Sequence, residues 1–363
     1  MAETKRLLVL ASKPIGRSPS QRFRLEQWAP RLERDHDIRL DFAPFESDAL
    51  ADILYEPGHV VRKSALVTRD FLRRAALLGR MRDYDAVVVH REAALLGPAI
   101  YERLIAWSGK PIIFDFDDAI WLPLQGRSNG MFSRLHFHGK TRSICRIATA
   151  VSAGNSYLAD YARRFNQRVA VIPTSIELDD YPVVSEPADR PFVVCWTGSI
   201  STLAHFEHAR VALERLAERV DLVVKVICNR PPEQPIAGAR TDFVPWSAAT
   251  EARAVGESHV GIMPLPDDEF TRGKCGLKAL QCMATGRPVV ISPVGMNVEL
   301  IRHGRNGFLA ATPREFVEAL SDLADSPDLR RRLGQAARQT VEQHYSAQIV
   351  AAQFAGLVRS VTG

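Results

Sequence analysis

Short β-rich runs alternate with longer stretches of helical period, and the alternation occurs twice along the chain. Parallel strands need crossovers, usually helical, so this pattern predicts a doubly wound α/β protein and excludes a helix bundle or a β-sandwich. In the first half the strand candidates are 7–11, 38–42, 86–90, 112–116, 149–152 and 169–172; in the second they are 192–196, 222–227, 260–265, 288–292 and 308–310. The segment between the halves, 177–190, is rich in Asp, Glu and Pro and has little periodicity, as an interdomain linker would. A chain of 363 residues also exceeds what one compact core usually takes. The expected organisation is two Rossmann-like domains, 1–186 and 187–345, with a ligand crevice at the carboxyl ends of the strands. A periodic stretch, 346–363, would form a final helix across the join.

The start of the chain, Met1 to Arg6, is polar, and the apolar run Leu7 to Ala11 is too short for a secretory core or a membrane span. The five cysteines are odd in number and show no C-x2-C spacing, so neither a disulfide framework nor a zinc site is expected. These features point to a cytosolic protein. The net charge of +5 suits an anionic partner such as a phosphorylated ligand or an acidic membrane face, and nothing indicates nucleic acid. The charge is concentrated in Arg62, Lys63, Arg69, Arg73, Arg74, Arg80 and Arg82, interleaved with Leu66, Val67, Phe71, Leu72, Leu77 and Leu78. A basic amphipathic helix of this kind either lies on anionic lipid or packs its apolar side inward.

The run Glu269 to Gly286 holds a loop that feeds a helix over 277–285, stopped by Gly286 and Pro288. A helix N-terminus carries unpaired N–H groups and roughly half a positive charge. The sequence nonetheless places Arg272, Lys274 and Lys278 there, a repulsion of ~0.3–1 kcal/mol each unless an anion sits among them. A diphosphate resolves the conflict, with Gly273 and Gly276 letting the backbone approach it and Gln281, on the same helix face, within reach of a ribose. The alternative is that the lysines extend into solvent.

The run Gln281-Cys-Met-Ala-Thr-Gly-Arg-Pro-Val-Val, with Ser292-Pro-Val-Gly295 and Gly304-Arg-Asn-Gly-Phe-Leu309 behind it, resembles the signature of the family 4 glycosyltransferases. The resemblance implies a GT-B fold, two Rossmann-like domains facing a cleft. It also implies a nucleotide diphosphate sugar donor, transfer with retention of anomeric configuration, and no bound metal or other cofactor. The family's Glu-x7-Glu pair falls on Gly273 and Gln281, so both carboxylates are absent; Glu269 is the candidate for the lost sugar contact. The basic pair of the family's second domain falls on Ser199 and His205, and the positive charge has moved to Lys274 and Lys278. By the same resemblance Gly198 and Ser199 form the first donor loop of that domain. Trp246 stands where family members contact the base, although a buried core tryptophan is the commoner case.

The strand ending in Phe114-Asp-Phe-Asp-Asp118 carries three close carboxylates, Asp115, Asp117 and Asp118, whose mutual repulsion requires an explanation. They can cap the next helix, hold a divalent metal as in a phosphatase, or serve in catalysis. In the resembling family a His ends this strand near the reacting sugar, and Asp117 falls in its place, with Asp118 beside it. An Asp there would polarise the acceptor hydroxyl or stabilise an oxocarbenium-like transition state. Arg22 and Arg24 stand where relatives carry a phosphate-facing loop, and Glu92 follows another strand end on the acceptor side. The expected acceptor is a hydroxyl of a cell-surface glycan or a lipid-linked molecule. The lost Glu pair keeps open a protein that binds nucleotide and transfers nothing.

Overall fold

The computed structural model describes residues 4–54, 56–122 and 139–363. The chain divides into two compact units, residues 1–174 with 347–363, and residues 175–346.

The first unit is a parallel six-stranded sheet in the order β2-β1-β3-β4-β5-β6. Its strands are Lys5–Ala11, Ile38–Pro44, Ala86–His90, Ile112–Phe116, Ala150–Ala153 and Val169–Val171, numbered β1 to β6. β3, β4 and β5 are buried along their whole length, which explains why they read as continuous apolar runs rather than alternating ones. Helix Ala347–Thr362 belongs to this unit: Ala347, Val350, Ala351, Phe354, Ala355 and Val358, spaced by three and four, pack with Leu7, Val9 and Trp28. The Trp28 and Phe354 rings lie 5.3 Å apart. The final helix therefore completes the core of the first unit.

The second unit is a parallel sheet in the order β12-β11-β10-β7-β8-β9. Its strands are Phe192–Thr197, Leu222–Cys228, Arg240–Pro245, Val260–Met263, Val289–Ile291 and Phe308–Leu309, numbered β7 to β12. The sequence reading lacks β9, and the reason is its place at the sheet edge: it is largely exposed and carries no apolar run. The acidic segment expected to be a linker is bound to this unit. Arg330 reaches Glu186 and Asp189 at 2.6 Å each, and Arg287 donates to the Val184 and Ser185 carbonyls. The division consequently falls after Thr174, upstream of the expected break at 186.

Helix Val60–Ala76 forms within the basic stretch. Lys63 and Arg74 are buried, whereas Leu72 is 67% exposed, so the cations and leucines do not sort cleanly onto two faces. No helix among the described residues is long and apolar enough to cross a membrane.

Each sheet reverses its winding direction once. In the first, β1 has β2 on one side and β3 on the other; in the second, β7 lies between β8 and β10. In open α/β sheets ligands bind outside the carboxyl ends of the strands at such switch points. The residues past β1 and β3, and past β7 and β10, are therefore where sites are expected on topology alone.

Candidate functional site

Past β7 the chain reads Trp196-Thr-Gly198-Ser199. Gly198 is required because a Cβ there would lie 2.4 Å from the Trp196 ring, which crosses the loop. Ser199 is committed to the local turn: its hydroxyl is 2.8 Å from that of Ser201, and its N–H donates to Thr202 Oγ1. Past β10 the loop is held by Asp268, which accepts from the Thr271 N–H at 2.8 Å, and by the short helix Glu269–Arg272. Gly276 then adopts φ +67 and starts helix Leu277–Ala284. An Ala at Gly276 would adopt a left-handed conformation that costs roughly 1–2 kcal/mol. Chemical denaturation of Gly276→Ala should show that loss.

This geometry brings Lys278 from helix Leu277–Ala284 over the end of β7. Its Nζ lies 4.4 Å from the centre of the Trp196 ring, and it forms no hydrogen bond or ion pair among the described residues. Burial, reinforced by the charge of Lys274, pushes its pKa down to about 7. Lys274 Nζ stands 4.0 Å over the Phe270 ring. His205 is beside both lysines; burial first, then Lys278 and Lys274, drive its pKa down to about 4. His205 Nδ1 and the Trp196 Nε1 donor are buried without a hydrogen-bond partner. A partly buried ammonium with only a ring face for company, next to a second lysine and two unsatisfied polar atoms, is a costly arrangement. A bound anion relieves it, with the first N–H groups of helix Leu277–Ala284 adding their dipole.

Gln281 differs from expectation. It is 2% exposed, and its amide donates to the Tyr181 hydroxyl at 2.8 Å. Tyr181 in turn donates to Glu251, which also accepts from Thr197 Oγ1, both at 3.2 Å. Gln281 is thus the inner end of a buried network rather than an open ribose contact. Glu251 and Trp196 were not singled out as donor-site residues in the sequence, because partners so distant along the chain leave no local signature; His205 was placed only as the residue standing where the family carries a basic one. Glu269 is exposed, and Trp246 is partly buried just past β9, its N–H bonded to the Cys228 carbonyl.

At the other switch point the three carboxylates are neutralised by arginines. Asp115 is fully buried; it receives Arg24 Nε at 2.9 Å and Nη2 at 2.5 Å, the Ser152 hydroxyl at 2.6 Å, and stands 2.8 Å from His90 Nδ1. Arg24 also donates to the Ile172 carbonyl at 2.8 Å. The expectation that Arg24 contacts a phosphate is therefore corrected: its fork is consumed inside the core by Asp115. Arg22 stacks on Phe23 at 4.4 Å, and Glu92 accepts from Lys140 at 3.1 Å.

Asp117 accepts from Ser20 Oγ at 2.6 Å and from Arg91 Nη2 and Nε at 2.8 and 3.0 Å; Asp118 lies 3.8 Å from Arg91 Nη2. Burial alone would raise the pKa of Asp117, but the Arg91 charge prevails and holds it down at about 2. Arg91 itself has φ 64, an uncommon conformation for a non-glycine residue. Ser20 completes a chain from Asp117 through its hydroxyl to His90 Nε2 at 2.9 Å and on to Asp115. A carboxylate so firmly ionised is too weak a base to remove a hydroxyl proton at neutral pH, but it is a fixed negative charge.

Residues 191–326 match the family model "Glycosyl transferases group 1". The chain is 32% identical to the D-inositol 3-phosphate glycosyltransferase of Streptomyces scabiei over 36% of this chain and 25% of that protein. It is 33% identical to the MMP alpha-(1->4)-mannosyltransferase of Mycolicibacterium hassiacum over 58% of this chain and 53% of that one. The match thus spans about a quarter to a half of these relatives. Among solved structures, sucrose-phosphate synthase from Thermosynechococcus elongatus superposes with a TM-score of 0.70 at 14% identity, over 98% of both chains. Anabaena HepE in complex with UDP superposes with a TM-score of 0.63 at 15% identity, covering 98% of this chain and 100% of that one. The two parallel sheets and the fold shared with these structures give the chain a GT-B fold, and its second unit is similar to the group 1, or family 4, glycosyltransferases.

Proposed function

We propose that this protein transfers a hexosyl group from a nucleotide diphosphate sugar to an acceptor hydroxyl, with retention of configuration. The observation that carries the reading is Lys278: a partly buried ammonium without a counter-charge among the described residues, at the β7/β10 switch point of a second unit similar to family 4. The HepE structures, which hold UDP and UDP-glucose in their own chain, favour uridine as the base to try first.

In this reading the diphosphate takes the place of the missing counter-charge. Lys278, Lys274 and the N–H groups of helix Leu277–Ala284 stabilise it as it departs, which lowers the barrier to breaking the glycosidic bond. The leaving phosphate oxygen then accepts the proton of the incoming hydroxyl, so no side-chain base is needed. Asp117 contributes its fixed negative charge to the oxocarbenium-like transition state, a role that survives its low pKa. The acceptor is a hydroxyl of a cell-surface glycan or a lipid-linked molecule. The exposed Val60, Val61 and Leu72 of helix Val60–Ala76, among its arginines, suit a cytoplasmic enzyme resting on an anionic membrane face. No metal or other cofactor enters this scheme.

A thermal-shift panel of UDP, GDP and ADP, with and without Mg2+, tests the donor reading. A ligand at ~100 times its dissociation constant adds about 2.7 kcal/mol, readily visible as a shifted transition. No response to any nucleotide would sink the reading, and a strict Mg2+ requirement would contradict the metal-free scheme. For the first unit, Asp117→Asn should lower kcat roughly tenfold to a hundredfold while leaving the donor dissociation constant within about twofold. Equal losses in kcat and donor affinity would point to a purely structural role.

A further inference from the structure

The amino edge of the second sheet, at the far end of helix Leu277–Ala284 from Lys278, holds a cavity of about 360 Å³. Arg287, Arg330, Arg331 and Arg338 line it, and Glu186 is the one carboxylate among the lining residues. Arg287 is 5% exposed, yet its three hydrogen bonds go to neutral acceptors, the carbonyls of Gly256, Val184 and Ser185, at 2.8–2.9 Å. Arg338 caps the carboxyl end of helix Leu277–Ala284 through the Ala284 carbonyl.

Glu186 is shared by Arg330 and Arg331, and the remaining carboxylates that accompany these arginines lie outside the cavity. Arg331 pairs with Asp328, which is 91% exposed, and lies 3.8 Å from Glu186; Arg330 pairs with Glu186, 18% exposed, and with Asp189, 69% exposed; and Arg338 pairs with Glu342, 45% exposed. Exposed carboxylates are strongly screened and offset little of the positive potential within the recess. A concave surface focuses that potential. Val183, 61% exposed, and Pro288 give the cavity an apolar side, and its volume lies at the small end of ligand sites.

We infer that this cavity is a second binding site, for a small phosphate- or sulfate-bearing molecule of about monosaccharide size, separate from the donor site. The anion sits against the guanidiniums, with Arg287 supplying a buried charge that has no carboxylate of its own, and the carbon skeleton rests on Val183 and Pro288. Gln335 and Gln339, on the exposed turn of helix Pro327–Thr340, offer amides to its remaining oxygens. The ligand would join residues 183–186 to that helix. The inference does not depend on the transferase reading, since none of these residues belongs to the Lys278 site.

Titration calorimetry of inorganic pyrophosphate and of sulfate into Lys278→Met tests it with the donor site disabled. One saturable site for pyrophosphate is expected, weakening with added salt. Introducing Gln335→Glu on the same background adds a negative charge to the wall without removing a hydrogen bond seen in the structure. It should weaken binding at least fivefold, and Arg331→Glu should weaken it at least tenfold, both with unchanged circular dichroism. Sulfate binding at the same site would assign recognition to the charge alone, and sulfate failing while pyrophosphate binds would assign it to a phosphorylated ligand. Absence of saturable pyrophosphate binding to Lys278→Met, or an affinity unaltered by both wall substitutions, would overturn the inference.

Discussion

Lys278→Met is expected to lower kcat/KM for glycosyl transfer by roughly a hundredfold to a thousandfold, the usual consequence of removing one preorganised group that stabilises a leaving anion. The same substitution should make the protein without ligand more stable. In the folded state Lys278 titrates at about 7, against an ordinary value near 10.4 for an unfolded chain. Between those values the unfolded chain binds more protons, so wild-type stability rises with pH. The penalty of burying the ammonium is full below pH 7 and vanishes above about pH 10.4. Methionine preserves the packing on Trp196 and removes the charge, so the stabilisation should be of order 1 kcal/mol or more at pH 7 and fade toward pH 10. A substitution that stabilises the fold while disabling the site is the signature of a residue retained for ligand binding. Paired denaturation and kinetic measurements across that pH range read both effects.

Asp115→Asn is expected to cost about 3–5 kcal/mol of folding stability, because it leaves the fully buried Arg24 guanidinium without its counter-charge. The carboxyl pKa of Asp115 is held well below its usual value by the Arg24 charge and the hydrogen bonds from His90 and Arg24, against the opposing effect of burial. A depressed carboxyl pKa contributes stability that is present above the unfolded value of about 4 and is lost as pH falls below it. The gap between wild type and Asp115→Asn should therefore narrow in acid. Adding Arg24→Met to Asp115→Leu should recover much of the loss, since replacing both members of a buried pair with apolar groups is far milder than removing one. Guanidinium unfolding at pH 7 and pH 3 checks both statements.

These residues also mark how far the sequence alone could be read. Eleven of the strands were visible as β-rich runs, most clearly β3, β4, β5, β8, β10 and β11, which are buried along their length and so mostly apolar. The loop from Glu269 to Gly286 was legible for a different reason: cations at a helix start conflict with the dipole, and that conflict is local. The pairs that complete each site are not local. Arg24 finds Asp115, and Gln281 finds Tyr181 and through it Glu251, only after the sheets have formed. Arg24 and Gln281 accordingly looked like ligand contacts in sequence and are spent inside the protein. Trp196 lies against Lys278 because β7 and β10 are neighbours, an adjacency that topology sets and spacing does not reveal. The final helix was expected at 346–363 and forms at 347–362, but its apolar face belongs to the first unit, a matter of partner rather than of periodicity.

The central claim is that Lys278 waits for a diphosphate. An anion beside it must raise its pKa, so binding near pH 7 must take up protons, and affinity must fall as pH rises above 7. Titration calorimetry of UDP, GDP and ADP at pH 7.5, in two buffers of different ionisation enthalpy, measures that uptake directly. At least one of them should bind with net proton uptake, and Lys278→Met should abolish the uptake together with most of the affinity. Binding that takes up no protons, or that is equally tight in Lys278→Met, would contradict the claim.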